Sequence, residues 1–117
     1  MRAIVIALVA LALTGTAAVA QVGGQYRVQG TNPDGSAYAG TAKITPSSDT
    51  TCRIAWQTGS TSVGICMMAG KSVAASYALN GKVGLVLYQL EPDGVLKGVW
   101  TVADQPGAGT ETLTPAK

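Results

Sequence analysis

Residues 25–44 read QYRVQGTNPDGSAYAGTAKI, two alternating runs on either side of the turn sequence Asn-Pro-Asp-Gly. Proline suits the second position of a type I turn because its ring fixes φ, aspartate tolerates the third, and glycine takes the left-handed conformation that follows. The same turn returns as Glu-Pro-Asp-Gly at 91–94, again between alternating runs. The sequence therefore predicts two β-hairpins. Their turn residues are Pro33, Asp34, Gly35, Pro92, Asp93 and Gly94.

The same period of two recurs along the chain, and no segment has a helical period. Asn80-Gly81 adds the signal of a two-residue hairpin. These patterns predict an all-β fold of about eight short antiparallel strands joined by tight turns. A meander of this length removes its exposed edges by closing on itself. We therefore predict a small up-and-down β-barrel in which the first strand pairs with the last, with a two-sheet β-sandwich as the alternative.

Residues 1–20 resemble a secretory signal peptide. Arg2 is followed by the apolar run Ala3–Leu13 and by the cleavage-site pattern Ala18-Val19-Ala20. The alternative is an uncleaved anchor helix, although the run is short for a membrane span. The prediction leaves residues 21–117 as a single β-barrel domain of a bacterial protein that is periplasmic or secreted.

The charge and composition narrow the range of partners. The formal net charge is +2 and the basic residues are scattered, so we predict no nucleic-acid partner. After signal cleavage, the alternating strands rich in Gly, Ser and Thr predict a soluble β-protein with no membrane partner. An unknown protein or a small ligand remains as the partner.

Cys52 and Cys66 are the only cysteines. Export to an oxidising space favours a disulfide between them. A hairpin centred on Gly59 places the two cysteines opposite each other, and cross-strand partners of the narrower type are close enough to bridge. The alternative is a pair of free or redox-active thiols.

The predicted inner face mixes glycines with large residues that are all Tyr or Trp. The aromatic residues are Tyr26, Tyr38, Trp56, Tyr88 and Trp100. Glycine on an inner face permits strong coiling and the close approach of a bulky neighbour. Two interpretations follow: a packed core in which rings fill the space above glycines, or an aromatic-lined pocket for a small ligand. An eight-stranded barrel is compatible with either.

The sequence contains no recognisable catalytic or metal-binding constellation. There is no histidine, so the common triads are absent and two thiols alone do not make a metal site. Ser72 and Lys71 are adjacent on a strand and face opposite sides. The acids Asp34 and Asp93 are explained by turn geometry. We predict a protein that is not an enzyme and that has no metal and no cofactor.

Glu111 is the one acid in an unusual position, because it shares its alternation phase with Leu113. If Leu113 faces inward, then Glu111 does too. A buried carboxylate needs a partner such as a tyrosine hydroxyl, an indole N–H or an arginine. We consider two interpretations: a rim position with access to water, and a hydrogen bond to an inward aromatic residue that helps to close the barrel.

Several of these motifs together resemble a known family. The pattern consists of Gly24-x-Tyr26-x-Val28-x-Gly30-Thr31-Asn32-Pro33-Asp34-Gly35-Ser36-x-Tyr38-x-Gly40, Trp56, Gly98-x-Trp100 and Gly109-Thr110-Glu111-x-Leu113. It resembles a group of small exported bacterial β-domain proteins of largely unknown function, some of them labelled fibronectin-binding. The resemblance covers nearly the whole predicted domain. Because its motifs are turn and core residues, it implies fold and export more than activity, and the two cysteines lie outside the shared pattern.

These features favour an exported binding or interaction module. One cue is an outer face predicted to carry the apolar residues Val63, Ile65, Val95 and Val99. The alternatives are a small-ligand carrier with an aromatic-lined interior and a periplasmic inhibitor, for which the sequence has no specific cue.

Overall fold

The computed structural model describes residues 21–116 of the protein. The predicted signal peptide, residues 1–20, lies outside the described residues. Within them the chain forms eight strands and no helix that is long and apolar enough to cross a membrane. The strands are β1 (Gly24–Thr31), β2 (Ala37–Pro46), β3 (Thr51–Gln57), β4 (Thr61–Ala69), β5 (Ser72–Leu79), β6 (Lys82–Leu90), β7 (Leu96–Val102) and β8 (Gly109–Pro115).

The eight strands form one closed sheet. Each strand pairs antiparallel with the next along the chain, and β1 pairs antiparallel with β8. Thr31 and Thr110 lie opposite each other at this closing contact, and their hydroxyls share a hydrogen bond of 2.8 Å. The predicted all-β, up-and-down barrel is confirmed, and the chain does not adopt the sandwich alternative.

The two Pro-Asp-Gly sequences form the turns between β1 and β2 and between β6 and β7. The N–H of Gly35 donates to the carbonyl of Asn32 at 2.8 Å, and that of Gly94 donates to the carbonyl of Glu91 at 2.9 Å. Both glycines have positive φ, 90° and 87°, which an L side chain rarely adopts. The turns therefore have the conformation that their sequence predicts.

The two turn aspartates serve the turns themselves. Oδ1 of Asp34 accepts a hydrogen bond of 2.7 Å from the Ser36 hydroxyl and one of 2.9 Å from the Ser36 N–H. These hydrogen bonds lower the pKa of Asp34. Oδ1 of Asp93 accepts from the N–H of Val95 at 3.2 Å. Such bonds from a short side chain to the following backbone are the reason that Asp is favoured in turns.

The predicted disulfide is confirmed, and no cysteine is left as a free thiol. Cys52 of β3 and Cys66 of β4 are directly opposite in the register, and their Cα atoms are 4.9 Å apart. Both side chains point into the barrel and are nearly inaccessible to solvent. The bond therefore staples the β3–β4 hairpin from the inside.

At four glycines on the inner face, the glycine is covered by the ring of the aromatic residue directly opposite on the neighbouring strand. The pairs are Gly30 with Tyr38, Gly84 with Tyr77, Gly98 with Tyr88, and Gly109 with Trp100. A Cβ at Gly84 would lie 2.1 Å from the ring of Tyr77, so a side chain there would have to displace the ring. Each ring leans across its glycine, which permits strong coiling of the sheet and fixes where the ring lies inside the barrel.

Candidate functional site

The barrel interior is filled at the end that carries the chain termini. Its largest side chains are at most 2% exposed: Tyr26, Val28, Ile44, Val73, Tyr88, Leu96 and Leu113. The segment before β1 is tied to this end, because the N–H of Gly23 donates to the Tyr26 hydroxyl at 2.8 Å. The packed-core interpretation therefore describes this half of the interior.

The opposite end of the barrel contains a cavity of about 190 Å³. It opens among the β1–β2, β3–β4 and β5–β6 turns. Its walls include the rings of Tyr38, Trp56, Tyr77 and Trp100, and Glu111 also lines it. The remaining lining residues are the polar Asn32, Thr58, Ser60 and Ser62 and the aliphatic Leu79 and Val86. This half of the interior is an aromatic-walled pocket.

Glu111 lies inside the barrel, 6% exposed, and accepts hydrogen bonds from three aromatic side chains. Oε1 accepts from the hydroxyl of Tyr38 at 2.8 Å. Oε2 accepts from the indole Nε1–H of Trp56 at 3.0 Å and from the hydroxyl of Tyr88. The carboxylate thus connects β8 with β2, β3 and β6 across the interior, which is the inward position with aromatic partners rather than the water-accessible rim.

All three partners of Glu111 are hydrogen-bond donors, and an indole N–H can only donate. Burial and the charge on Glu111 raise the pKa of Tyr38 and of Tyr88 well above the ordinary range. The same two causes raise the pKa of Tyr77 to about 12. The tyrosine hydroxyls therefore stay protonated and available as donors at any physiological pH.

The four rings around the cavity form two edge-to-face pairs. The centroids of Tyr38 and Trp100 are 6.1 Å apart with an interplanar angle of 73°, and those of Trp56 and Tyr77 are 5.2 Å apart with an angle of 63°. The indole N–H of Trp100 donates to the carbonyl of Thr110 at 3.1 Å. These pairs and the hydrogen bond orient the rings that form the walls of the cavity.

The structure brings most of the predicted interior residues to this site. Tyr38, Trp56 and Trp100 line the cavity, and Tyr88 reaches Glu111 from the filled end. Tyr26 lies in the filled end, away from the cavity.

Sequence reasoning missed Tyr77. Its signal was nevertheless available: Tyr77 and Gly84 are equidistant from the Asn80-Gly81 turn, so a two-residue hairpin places ring and glycine opposite each other.

The remaining acids do not assemble a second site. Across residues 21–116, no group of three or more His, Cys, Asp or Glu side chains is placed to hold a metal ion. Glu111 is the only carboxylate that lines the cavity, and no lysine or arginine lines it. The site combines a hydrogen-bonded carboxylate, protonated hydroxyls and aromatic surface, and these features are typical of a binding pocket.

No family model and no curated protein matches the chain. Solved structures do, and three of them are designed proteins. A redesigned β-barrel, mFAP1, bound to DFHBI has a TM-score of 0.69 at 21% identity over 80% of this chain and 94% of that one. A de novo designed fluorescence-activating β-barrel has a TM-score of 0.67 at 14% identity over 81% and 94%. A further redesigned β-barrel has a TM-score of 0.68 at 21% identity over 81% and 91%.

At these identities the similarity shows the fold alone. The chain is a closed eight-stranded antiparallel β-barrel with an aromatic-walled cavity at one end.

Proposed function

We propose that the protein is an exported, non-enzymatic β-barrel that binds a small molecule in its cavity. The observation that carries the proposal is the half-hollow interior, in which four fixed aromatic rings and one hydrogen-bonded carboxylate surround a cavity of about 190 Å³. Pockets of this build, mostly apolar with a few placed polar groups, are typical of ligand sites. The volume lies below the roughly 300–1,000 Å³ of sites for drug-sized ligands, so the ligand is small.

Two further observations support the proposal. A barrel bound to DFHBI and a barrel described as fluorescence-activating share this fold, so the fold is compatible with binding a small ligand. The disulfide is compatible with an oxidising compartment outside the cytoplasm. The absence of enzymatic activity is part of the proposal, because the one carboxylate that faces the cavity is held by three donors with no second acid or base beside it.

The proposal is tested by ligand screening on the folded mature protein. Native mass spectrometry of protein purified from its own host detects a retained ligand. The fluorescence of Trp56 and Trp100 is then titrated with cationic, neutral and anionic small molecules, including DFHBI. We expect a saturable change for at least one compound. The proposal is contradicted if no ligand mass is retained and no compound of the panel produces a saturable change.

A matched pair of variants on β4 tests whether the fluorescence change comes from a ligand in the cavity. Ser62 faces inward and lines the cavity, whereas its neighbour Thr61 is exposed. Ser62→Phe fills the cavity and is expected to abolish the fluorescence change, while Thr61→Phe adds the same ring outside and leaves the change intact. A response that survives Ser62→Phe places the ligand elsewhere.

A second candidate function, a protein interaction module, is favoured by the outer surface of β4, β6 and β7. Seven large apolar residues there are 53–68% exposed: Val63, Ile65, Met67, Val83, Leu85, Leu87 and Val99. We call these residues the apolar outer face. Val95, predicted for this face, is half-buried because it completes the β6–β7 turn before β7 begins. The seven residues expose on the order of 700 Å², more than the largest patch on a typical monomer.

The shape and charge of the apolar outer face suit a second copy of the chain. Between the large residues of β4 and β6, β5 presents only the small residues Ala74, Ser76 and Ala78, so a ridge on β6 adjoins a groove over β5. A two-fold axis placed between the ridge and the groove sets the ridge of each copy into the groove of the other. The exposed area approaches the roughly 800 Å² that each partner contributes to a standard interface. β4 and β5 carry no charged residue that would oppose pairing.

The variant Leu85→Lys is expected to prevent this dimer, because it places a charge at the centre of the ridge. We expect the dimer dissociation constant, measured by sedimentation equilibrium, to rise tenfold or more. Thr41→Lys on the polar outer face of β2 is the control and should leave the dissociation constant unchanged. A wild-type protein that stays monomeric at its highest soluble concentration contradicts the proposed dimer.

A further inference from the structure

The charge of Glu111 is not balanced inside the cavity. Its three partners, Tyr38, Trp56 and Tyr88, are neutral donors. No lysine or arginine is among the residues that line the cavity. A buried carboxylate is ordinarily paired with a cation, and here hydrogen bonds stabilise the charge without neutralising it. The cavity is therefore electronegative.

The carboxylate also keeps capacity for a further donor. Two carboxylate oxygens together accept about four hydrogen bonds. Oε2 accepts two, from Trp56 and Tyr88, and Oε1 accepts one, from Tyr38. Since Glu111 itself lines the cavity, one acceptor position remains for a group that enters there.

The walls add a second attraction for positive charge. The face of an aromatic ring carries negative potential and attracts a cation within about 6 Å of its centroid, most strongly for Trp. Tyr38, Trp56, Tyr77 and Trp100 all line the cavity, and they form two edge-to-face pairs. A group of aromatic rings around a carboxylate is an arrangement that selects ammonium groups over neutral molecules of the same shape.

We propose that the ligand of the cavity is a small organic ammonium ion, with its positive charge held between the Glu111 carboxylate and the surrounding rings. This inference rests on the proposed small-molecule function and names the class of its ligand. It also accounts for a carboxylate inside an otherwise neutral barrel, because the ligand supplies the missing positive charge.

Three probes of one shape test the inference on the wild-type protein. They are choline, its neutral isostere dimethylbutanol, in which carbon replaces the quaternary nitrogen, and the anion dimethylbutanoate. Binding is measured by titration calorimetry and by the fluorescence of Trp56 and Trp100. We expect saturable binding of choline, binding of the neutral isostere at least tenfold weaker, and no binding of the anion.

A matched pair of charge-removing variants assigns the selectivity to Glu111. Glu111→Gln keeps the shape and removes the charge, so choline should bind at least tenfold more weakly while the affinity for dimethylbutanol stays the same. Glu91→Gln makes the same change in the β6–β7 turn, outside the cavity, and should leave both affinities unchanged. Near-ultraviolet circular dichroism establishes that each variant is folded, and if Glu111→Gln does not fold, the comparison of probes on the wild type decides alone.

The outcomes separate this inference from the function on which it rests. If dimethylbutanol binds as tightly as choline, or if only neutral or anionic compounds of the wider panel bind, the cavity binds small molecules and the inference of a cationic ligand is overturned. If no compound of any charge binds, the small-molecule function itself fails. If the folded Glu111→Gln variant binds choline as tightly as the wild type does, the inference is also overturned.

Discussion

Replacing both cysteines, Cys52→Ala together with Cys66→Ala, is expected to lower the free energy of unfolding by about 3 kcal/mol. The disulfide joins residues 14 positions apart, and a closed loop of this size removes conformations mainly from the unfolded chain. For a domain of this size, about 3 kcal/mol corresponds to a fall in melting temperature of roughly 10–25 °C. This is a large share of the 5–15 kcal/mol that stabilises a typical domain.

Denaturant unfolding of three forms separates the cross-link from the packing of the sulfur atoms. The oxidised wild type, the wild type reduced while unfolded and then refolded, and the double variant are compared. Reduction keeps every buried sulfur atom in place, so the difference between the first two forms measures the cross-link. Reductant should not affect the double variant. If reductant destabilises the double variant as much as the wild type, the effect does not come from this bond.

The disulfide is also a good example of what the sequence could predict. Its position followed from a hairpin centred on Gly59, and the register places Cys52 directly opposite Cys66. The two Pro-Asp-Gly turns were predictable for the same reason, since their conformation depends on residues that are adjacent in the chain. Local rules predicted the strands, the turns and most of the inner face, although not Tyr77, and from these the barrel.

The contacts that make the site were beyond local rules. The alternation phase predicted that Glu111 faces inward, but its partners are 73, 55 and 23 residues away along the chain. Which aromatic residues meet it depends on how far the strands are staggered when the sheet closes, and sequence alone does not fix that stagger. The presence of the cavity could not be predicted either, because a filled barrel and a half-hollow barrel have the same alternation pattern.

The apolar outer face shows a different limit of the pattern. Val95 has the outward phase, yet the β6–β7 turn draws it in, with its carbonyl accepting the N–H of Glu91 at 2.8 Å. Alternation describes a residue only inside a strand, and β7 begins one residue later, at Leu96. Met67, Val83, Leu85 and Leu87 have the outward phase within their strands and are exposed as that phase requires.

Replacing Glu111 by alanine is expected to destabilise the barrel by about 3 kcal/mol, because it leaves three donors without their acceptor. Trp56 and Tyr88 are 4% and 1% exposed, so their donors lose a partner where water is scarce. Glu111→Gln is expected to cost less, about 1–3 kcal/mol, since the amide oxygen still accepts but the amide nitrogen does not. Chemical denaturation measures both values, and Glu91→Gln, at the turn between β6 and β7, is the control and should leave stability nearly unchanged.

A double-mutant cycle shows whether the hydrogen bonds are the cause. Tyr88→Phe removes one donor and should destabilise the wild type. In the Glu111→Ala background the same change should cost much less, because the hydroxyl has already lost its acceptor. Additive effects of the two substitutions, or an unchanged melting temperature for Glu111→Gln, would show that this carboxylate does not hold the strands together.

The same variants should differ in alkaline solution. Burial and the charge on Glu111 raise the pKa of Tyr88 well above the value of about 10 that it has in the unfolded chain. Between about pH 10 and the folded pKa, the unfolded state therefore binds fewer protons than the native state, and the free energy of unfolding falls as pH rises. The contribution is present in full below about pH 10, and a buried tyrosine loses about 1.4 kcal/mol per pH unit above it.

The raised pKa values of Tyr38 and Tyr77 also make the free energy of unfolding fall as pH rises. Their effect is smaller because these side chains are partly exposed. Glu111→Gln removes the charge and leaves the burial, so the folded pKa of these tyrosines should be lower than in the wild type. The fall in unfolding free energy above about pH 10 should then level off at a lower pH in the variant. Denaturation at a series of pH values, with tyrosinate absorbance recorded in parallel, locates that pH in both proteins. The same tyrosinate titration in both would mean that Glu111 carries no charge in the native barrel, and the electronegative cavity inferred from its contacts would then have no source.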